Sequence, residues 1–304
     1  MIAQNVARLA SGALGFYVFL LPLLAAFIAV RQEQKLWKQA ASLPAMPLFG
    51  MLRVYWMNVV WMIGCSFGAV FVVLKHVVSF GRSDVPLDSN RLVEDWIART
   101  VVRLFIGKVQ IKGAENLPAE DAVPAPIYIA NHASQIDVFV VILINRRYKF
   151  IAKNALLYMP GVGQIAYLSK HILINRQSGK NKKSNTNLFA KSDAAVQSGI
   201  PMFFFPQGTR RMSNRLPFKD GAFILAQTNK SPLVPISIEI PVDAWTTMYP
   251  ISLLWTSKAP TVTLTVHPVV TVTGQEDRQA LKQQCFDTIY SVVPAVEDED
   301  PKHK

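Results

Sequence analysis

His132 and Asp137 are the pair in this chain whose types and spacing best suit moving a proton. They belong to Asn131-His132-Ala133-Ser134-Gln135-Ile136-Asp137, which follows the apolar run Ile127-Tyr128-Ile129-Ala130 and precedes Val138-Phe139-Val140-Val141-Ile142-Leu143-Ile144. The first run reads as a buried strand and the second as the opening turns of a buried helix; α/β folds place their chemistry at such strand exits. Asp137 falls about one turn after Ser134, the candidate cap, so its carboxylate can point back to the imidazole of His132. A carboxylate on one ring nitrogen fixes the tautomer and leaves the other nitrogen able to accept a proton. The same residues also fit a capping box, in which Ser134 and Asp137 only start a helix and His132 is a turn residue.

Two further strand ends carry polar groups: Asn175-Arg176, and Gln207-Gly208-Thr209-Arg210-Arg211. Arginine suits bidentate phosphate binding. Gly208 lets the backbone come close to an anion and present amides to it. If the three loops converge on one crevice, a base with its orienting acid faces a cluster of guanidinium groups.

The elements that must position these residues alternate through 108–292. Strands are expected at 108–113, 127–130, 148–152, 171–174, 201–205 and 233–238, with one or two more within 261–272. Helices are expected after Asp137, after the turn at 159–163, at about 186–198 closed by Gly199, and at 275–292. Lys180, Lys182 and Lys183 read as a solvated loop. The class is α/β, a mixed sheet flanked by helices.

The chain has 304 residues, 51% of them hydrophobic, and a formal net charge of +12; its mean hydropathy is +0.23. This balance suits an anionic partner such as a phospholipid surface or a phosphorylated substrate. Nucleic acid is not expected, because aromatic and basic residues are not interleaved. Two cysteines, Cys65 within an apolar run and Cys285, argue against a disulfide framework. His76, His171, His267 and His303 lack ligand spacing, so no metal is expected.

Residues 9–30 and 54–74 are apolar stretches, each long enough for a bilayer core that takes about 20 helical residues. Arg31, Lys35, Lys38 and Arg53 make their connection basic, and Lys75, Arg82, Arg91, Arg99 and Arg103 make the far side basic too. The positive-inside rule is therefore split, and a hairpin dipping into one leaflet reconciles it. The expected organisation is a membrane hairpin at 1–85, a catalytic domain at 86–296 and a charged tail at 297–304. Leu92, Trp96, Ile97, Val101, Leu104 and Phe105 recur at helical spacing among arginines, which fits a helix on an anionic surface or one packed on the core.

The chain resembles the membrane-bound glycerolipid acyltransferases, and most of all the 1-acylglycerol-3-phosphate (lysophosphatidic acid) acyltransferases. The motif Asn-His-x-x-x-x-Asp is matched by Asn131, His132 and Asp137, and Phe-Pro-Glu-Gly-Thr-Arg by Phe205, Pro206, Gly208, Thr209 and Arg210. Ile174-Asn175-Arg176 approximates a third motif, Val234-Pro235-Ile236 matches a fourth, and Pro217 to Phe223 is also typical. Gln207 stands where the family usually has Glu, and Asn175 where an acid is common.

The resemblance implies acyl transfer from acyl-CoA to the free sn-2 hydroxyl of lysophosphatidic acid, giving phosphatidic acid. His132 would be the general base and Asp137 its orienting acid, with no covalent enzyme intermediate and no cofactor besides acyl-CoA as co-substrate. Asn175, Arg176, Gln207, Gly208, Thr209, Arg210 and Lys219 would hold the phosphate and glycerol, with Arg211 assisting. Val234 and Pro235 would serve the acyl chain or the scaffold. Backbone amides near Gly208, or a water, would hold the developing oxyanion. An integral membrane location is implied, in the endoplasmic reticulum or another internal membrane of a eukaryote or the inner membrane of a bacterium. The alternatives are another acceptor, glycerol-3-phosphate or a different lysophospholipid, and a catalytically silent membrane lipid-binding protein.

Overall fold

The computed structural model describes residues 48–79, 85–174, 182–211, 215–241 and 261–295. The apolar stretch at 9–30, the pair Asn175-Arg176 and the charged tail at 297–304 lie outside the described residues. Seven strands among those described form one sheet: β1 (Val109–Lys112), β2 (Ile127–Ala130), β3 (Lys149–Lys153), β4 (Ile172–Ile174), β5 (Met202–Phe204), β6 (Leu233–Glu239) and β7 (Val262–Val266). Their spatial order is β1-β7-β6-β2-β5-β3-β4. β6, β2, β5, β3 and β4 run parallel. β7 is antiparallel to β6, and β1 is parallel to β7. The sheet is mixed, as expected, because β7 runs antiparallel to β6.

The helices are α1 (Leu48–Val78), α2 (Val85–Val101), α3 (Asp137–Ile142), α4 (Val162–Leu168), α5 (Lys182–Gln197), α6 (Gly221–Asn229) and α7 (Arg278–Tyr290). They cover both faces of the sheet, so the central strands are apolar throughout rather than alternating with polar residues. Ile127, Ile129, Met202 and Leu233 pack with Ala195, Phe223, Leu281, Cys285 and Ile289 from α5, α6 and α7. Tyr128, Ala130, Phe203 and Val234 face the other way and pack with Met62, Ile97, Phe139 and Ile165 from α1 to α4.

The second apolar stretch therefore forms a helix that shares the core of the sheet domain. Val54, Met57, Met62, Cys65, Ala69 and Val72 of α1 are buried, while Phe67, Val70, Phe71, Val73, Leu74, Val77 and Val78 are exposed. Gly68 allows α1 and α2 to close on each other, since a Cβ there would overlap Val93. An open apolar groove of about 570 Å³ runs beside the exposed face, lined by Ala69, Val73, Leu74, Leu157 and Tyr167. In α2, Val93, Ile97 and Val101 enter the core, while Leu92 and Trp96 stay exposed.

Two boundaries differ from expectation. Lys182 and Lys183 are helical, as α5 starts four residues earlier than 186; lysine is a good helix former and its charge needs only an exposed face. Within 261–272 the chain forms one strand, β7, and Val270 adds a single bridge to Leu233. The closing helix is shorter than 275–292, because Asp277 caps it by accepting from the Ala280 amide at 2.7 Å.

Candidate active site

β2 and β5 are neighbours in parallel register, with Ile129 opposite Phe204, so the residues after each strand leave at the same edge. Asn131 fixes the first exit. Its buried side chain donates to the Ile238 carbonyl at 2.8 Å and accepts from the Ile238 amide at 2.7 Å, tying the end of β2 to β6. Asn131→Ala leaves both backbone groups of Ile238 buried without partners. At about 1–3 kcal/mol for each such group, a loss of about 3 kcal/mol is expected, read as a lowered urea midpoint with unchanged slope.

His132 comes next. Its Nδ1 lies 2.7 Å from Asp137 Oδ2, and that same oxygen accepts from the amides of Ala133 at 2.7 Å and Ser134 at 2.9 Å. Asp137 is fully buried, whereas the His132 side chain is 17% exposed. An ionised carboxylate only accepts, so Nδ1 carries the ring proton and Nε2 is left as an acceptor. Half of the capping box is present, since the Ser134 amide donates back to Asp137. The same oxygen also meets the His132 ring, so Asp137 does more than start a helix. The carboxylate turns back into the 132–134 turn because two amides and the imidazole converge on one oxygen there. The ring is stacked on Phe205, with centroids 4.1 Å apart and planes 17° from parallel.

The loop after β5 grips the backbone of His132 from both sides. Gln207 Oε1 accepts from the His132 amide at 2.8 Å, and the Arg211 amide donates to the His132 carbonyl at 2.8 Å. Gln207 is 2% exposed, and its Nε2 has no hydrogen-bond partner among the described residues. Gly208 adopts φ +72°, in the left-handed region that favours glycine. Lys219 Nζ packs against it, 2.6 Å from where a Cβ would stand, and the Lys219 amide closes the loop onto the Pro206 carbonyl at 3.0 Å. Thr209 and Lys219 are exposed and Arg210 is half-buried.

The site thus brings His132, Asp137, Gln207, Gly208 and Lys219 together. β4 ends at Ile174 on the same edge, and Asn175 and Arg176, which follow it, lie outside the described residues. Val234 and Pro235 are buried inside β6, paired with Tyr128 and Ile129. The Gly208 amide itself donates to the Phe205 carbonyl at 2.9 Å and closes the turn. Sequence reasoning missed the stacking of Phe205, the clamp made by Asn131 and the bond from Gln207 to the His132 backbone. Only Asn131, as a motif position, carried a signal.

Residues 108–239 match the family model described as Acyltransferase. The chain is similar to a chloroplastic 1-acyl-sn-glycerol-3-phosphate acyltransferase of Brassica napus, 34% identical over 132 residues, which are 43% of this chain and 37% of that one. It is similar to 1-acyl-sn-glycerol-3-phosphate acyltransferase beta of Homo sapiens, 30% identical over 149 residues, 48% of this chain and 52% of the other. The chain thus spans under two thirds of the length of these relatives. Among solved structures, the crystal structure of the LPA acyltransferase PlsC from Thermotoga maritima matches with a TM-score of 0.61 at 19% identity. That match covers 77% of this chain and 92% of the other, and it establishes the likeness of fold.

Proposed function

Residues 108–239 form an acyltransferase domain, and on that premise we propose that the chain transfers an acyl group from acyl-CoA to the sn-2 hydroxyl of lysophosphatidic acid, forming phosphatidic acid. The observation that carries the reading is the 2.7 Å contact between His132 Nδ1 and the buried Asp137. It leaves His132 Nε2 to take the proton of the substrate hydroxyl while the hydroxyl oxygen attacks the thioester carbon. Asp137 then steadies the imidazolium, which returns the proton to the departing CoA thiolate. No enzyme nucleophile, metal or further cofactor enters this scheme.

Arg210 and Lys219, on the loop that grips His132, would hold the phosphate, with Asn175, Arg176, Gln207, Gly208 and Thr209 completing the acceptor site. Val234 and Pro235 act from within the scaffold. The exposed apolar face of α1 and the stretch at 9–30 would hold 1–85 in one leaflet of a membrane, internal in a eukaryote or the inner membrane in a bacterium. The domain at 86–296 would then sit at its surface, where both acyl-bearing substrates are dissolved.

The test is an acyl-CoA-dependent assay of purified full-length protein on a panel of lysophospholipids and glycerol-3-phosphate, with products read by mass spectrometry. Phosphatidic acid is expected from lysophosphatidic acid. Arg210→Ala should raise the acceptor KM about tenfold or more at nearly constant kcat, as loss of uniform binding does. Transfer to lysophosphatidylcholine alone would overturn the acceptor, and no transfer to any acceptor would leave a silent lipid-binding protein.

A further inference from the structure

The transfer proposed above develops a negative charge on the thioester carbonyl oxygen, and a donor must meet it. Five backbone amides around the base are already engaged. His132 donates to Gln207, Ala133 and Ser134 to Asp137, Gly208 to Phe205, and Arg211 to His132. Beside them, the Nε2 of Gln207 is a buried donor with no hydrogen-bond partner among the described residues. Its orientation is not exchangeable, because Oε1 accepts from the His132 amide at 2.8 Å and a flipped amide would set two donors face to face. The other end of the side chain is therefore a donor, and what it meets must be an acceptor.

We propose that Gln207 Nε2 is the oxyanion donor of this enzyme, an inference that rests on the acyl-transfer reading. Two acceptors compete for it, the phosphate of lysophosphatidic acid and the carbonyl of the acyl donor. A phosphate carries its charge throughout and suits the exposed cation Lys219 and the half-buried Arg210. A neutral amide that is 2% exposed suits a group that is neutral when bound and charged only at the summit of the reaction. As the hydroxyl oxygen bonds to the thioester carbon, its proton passes to His132 Nε2 and the carbonyl electron pair moves onto oxygen, where Gln207 donates. The pair returns, the carbon–sulfur bond breaks, and the thiolate takes the proton back from His132. A Glu at position 207 would keep the bond to the His132 amide but face the oxyanion with an acceptor.

Gln207→Glu is expected to lower kcat about 10²–10³-fold, as loss of one oxyanion donor does, with both KM values within about threefold of the wild type. Gln207→Ala removes the donor and the link to His132 together and should lose at least as much. Gln207→Met, uncharged and of similar volume, also removes both but keeps the packing, so it should match the Ala loss. It still tests the role if the Glu variant fails to fold, as judged by circular dichroism. An unchanged kcat in Glu or Met, or a rise confined to the acceptor KM, would overturn the proposal. So would loss in the Ala and Met variants with Glu unaffected, since only the anchoring of His132 would then matter. If the wild-type protein itself transfers no acyl group, the parent reading fails and this role falls with it.

Discussion

His132→Ala lowers kcat for phosphatidic acid formation by about 10²–10⁴-fold, the range that a positioned acid–base group contributes. The same imidazole takes the proton from the attacking hydroxyl and returns it to the leaving thiolate, so the upper end of that range is expected. The fold should survive. The backbone of residue 132 is held by Gln207 through its amide and by Arg211 through its carbonyl, and neither bond involves the ring. Asp137 loses one of three partners on Oδ2 and keeps the amides of Ala133 and Ser134. The ring itself is partly exposed, and its stacking on Phe205 is the main packing lost. Substrate KM values should change little, because no contact to the phosphate is removed. Measured side by side, circular dichroism and the melting temperature should match the wild type while turnover collapses. Full turnover in a folded variant would end the general-base reading.

The parts of this molecule that were legible in sequence are those encoded by local pattern. Ile127-Tyr128-Ile129-Ala130 is apolar at every position, which is what a strand covered on both faces needs, and it is the central β2. His132 and Asp137 were legible as a pair because five positions of a turn bring a carboxylate back to a ring. What was not legible depends on neighbours distant in the chain. Ser134 and Asp137 satisfy a capping box and a catalytic turn equally well. The choice lies in where α3 starts and in which amides the carboxylate reaches. Phe203, Phe204 and Phe205 read alike, yet only the pairing of β5 with β2 decides that Phe205 meets the imidazole.

Gln207 was legible only as a lost charge. Its bond to an amide 75 residues earlier turns that substitution into a fixed donor. α1 shows a limit of composition: the stretch is apolar all round, and its sequence does not separate cover by protein from cover by lipid. One face is covered by α2 and α4, and the other, with Phe67 69% exposed, is not. A helix so placed is better suited to lie along the domain than to cross a bilayer alone.

Asp137→Asn should lower kcat about 10³-fold while the protein stays folded. Oδ2 of Asp137 receives three donors, so the Asn carbonyl oxygen must take its place; the amide nitrogen would oppose two backbone N–H groups. The ring therefore keeps its proton on Nδ1 and Nε2 can still accept. What disappears is the negative charge facing the imidazolium. Two unit charges roughly 4 Å apart attract by about 4 kcal/mol at an effective dielectric of 20, which is about a thousandfold in rate. The Asn amide nitrogen falls where Oδ1 now lies buried without a partner among the described residues, an added cost of about 1–3 kcal/mol in stability. Asp137→Ala should unfold more readily than Asp137→Asn, because it strips the Ala133 and Ser134 amides as well. Melting temperatures separate these two costs from kcat, and a folded Asn variant within threefold of wild-type turnover would show that the carboxylate charge is not used.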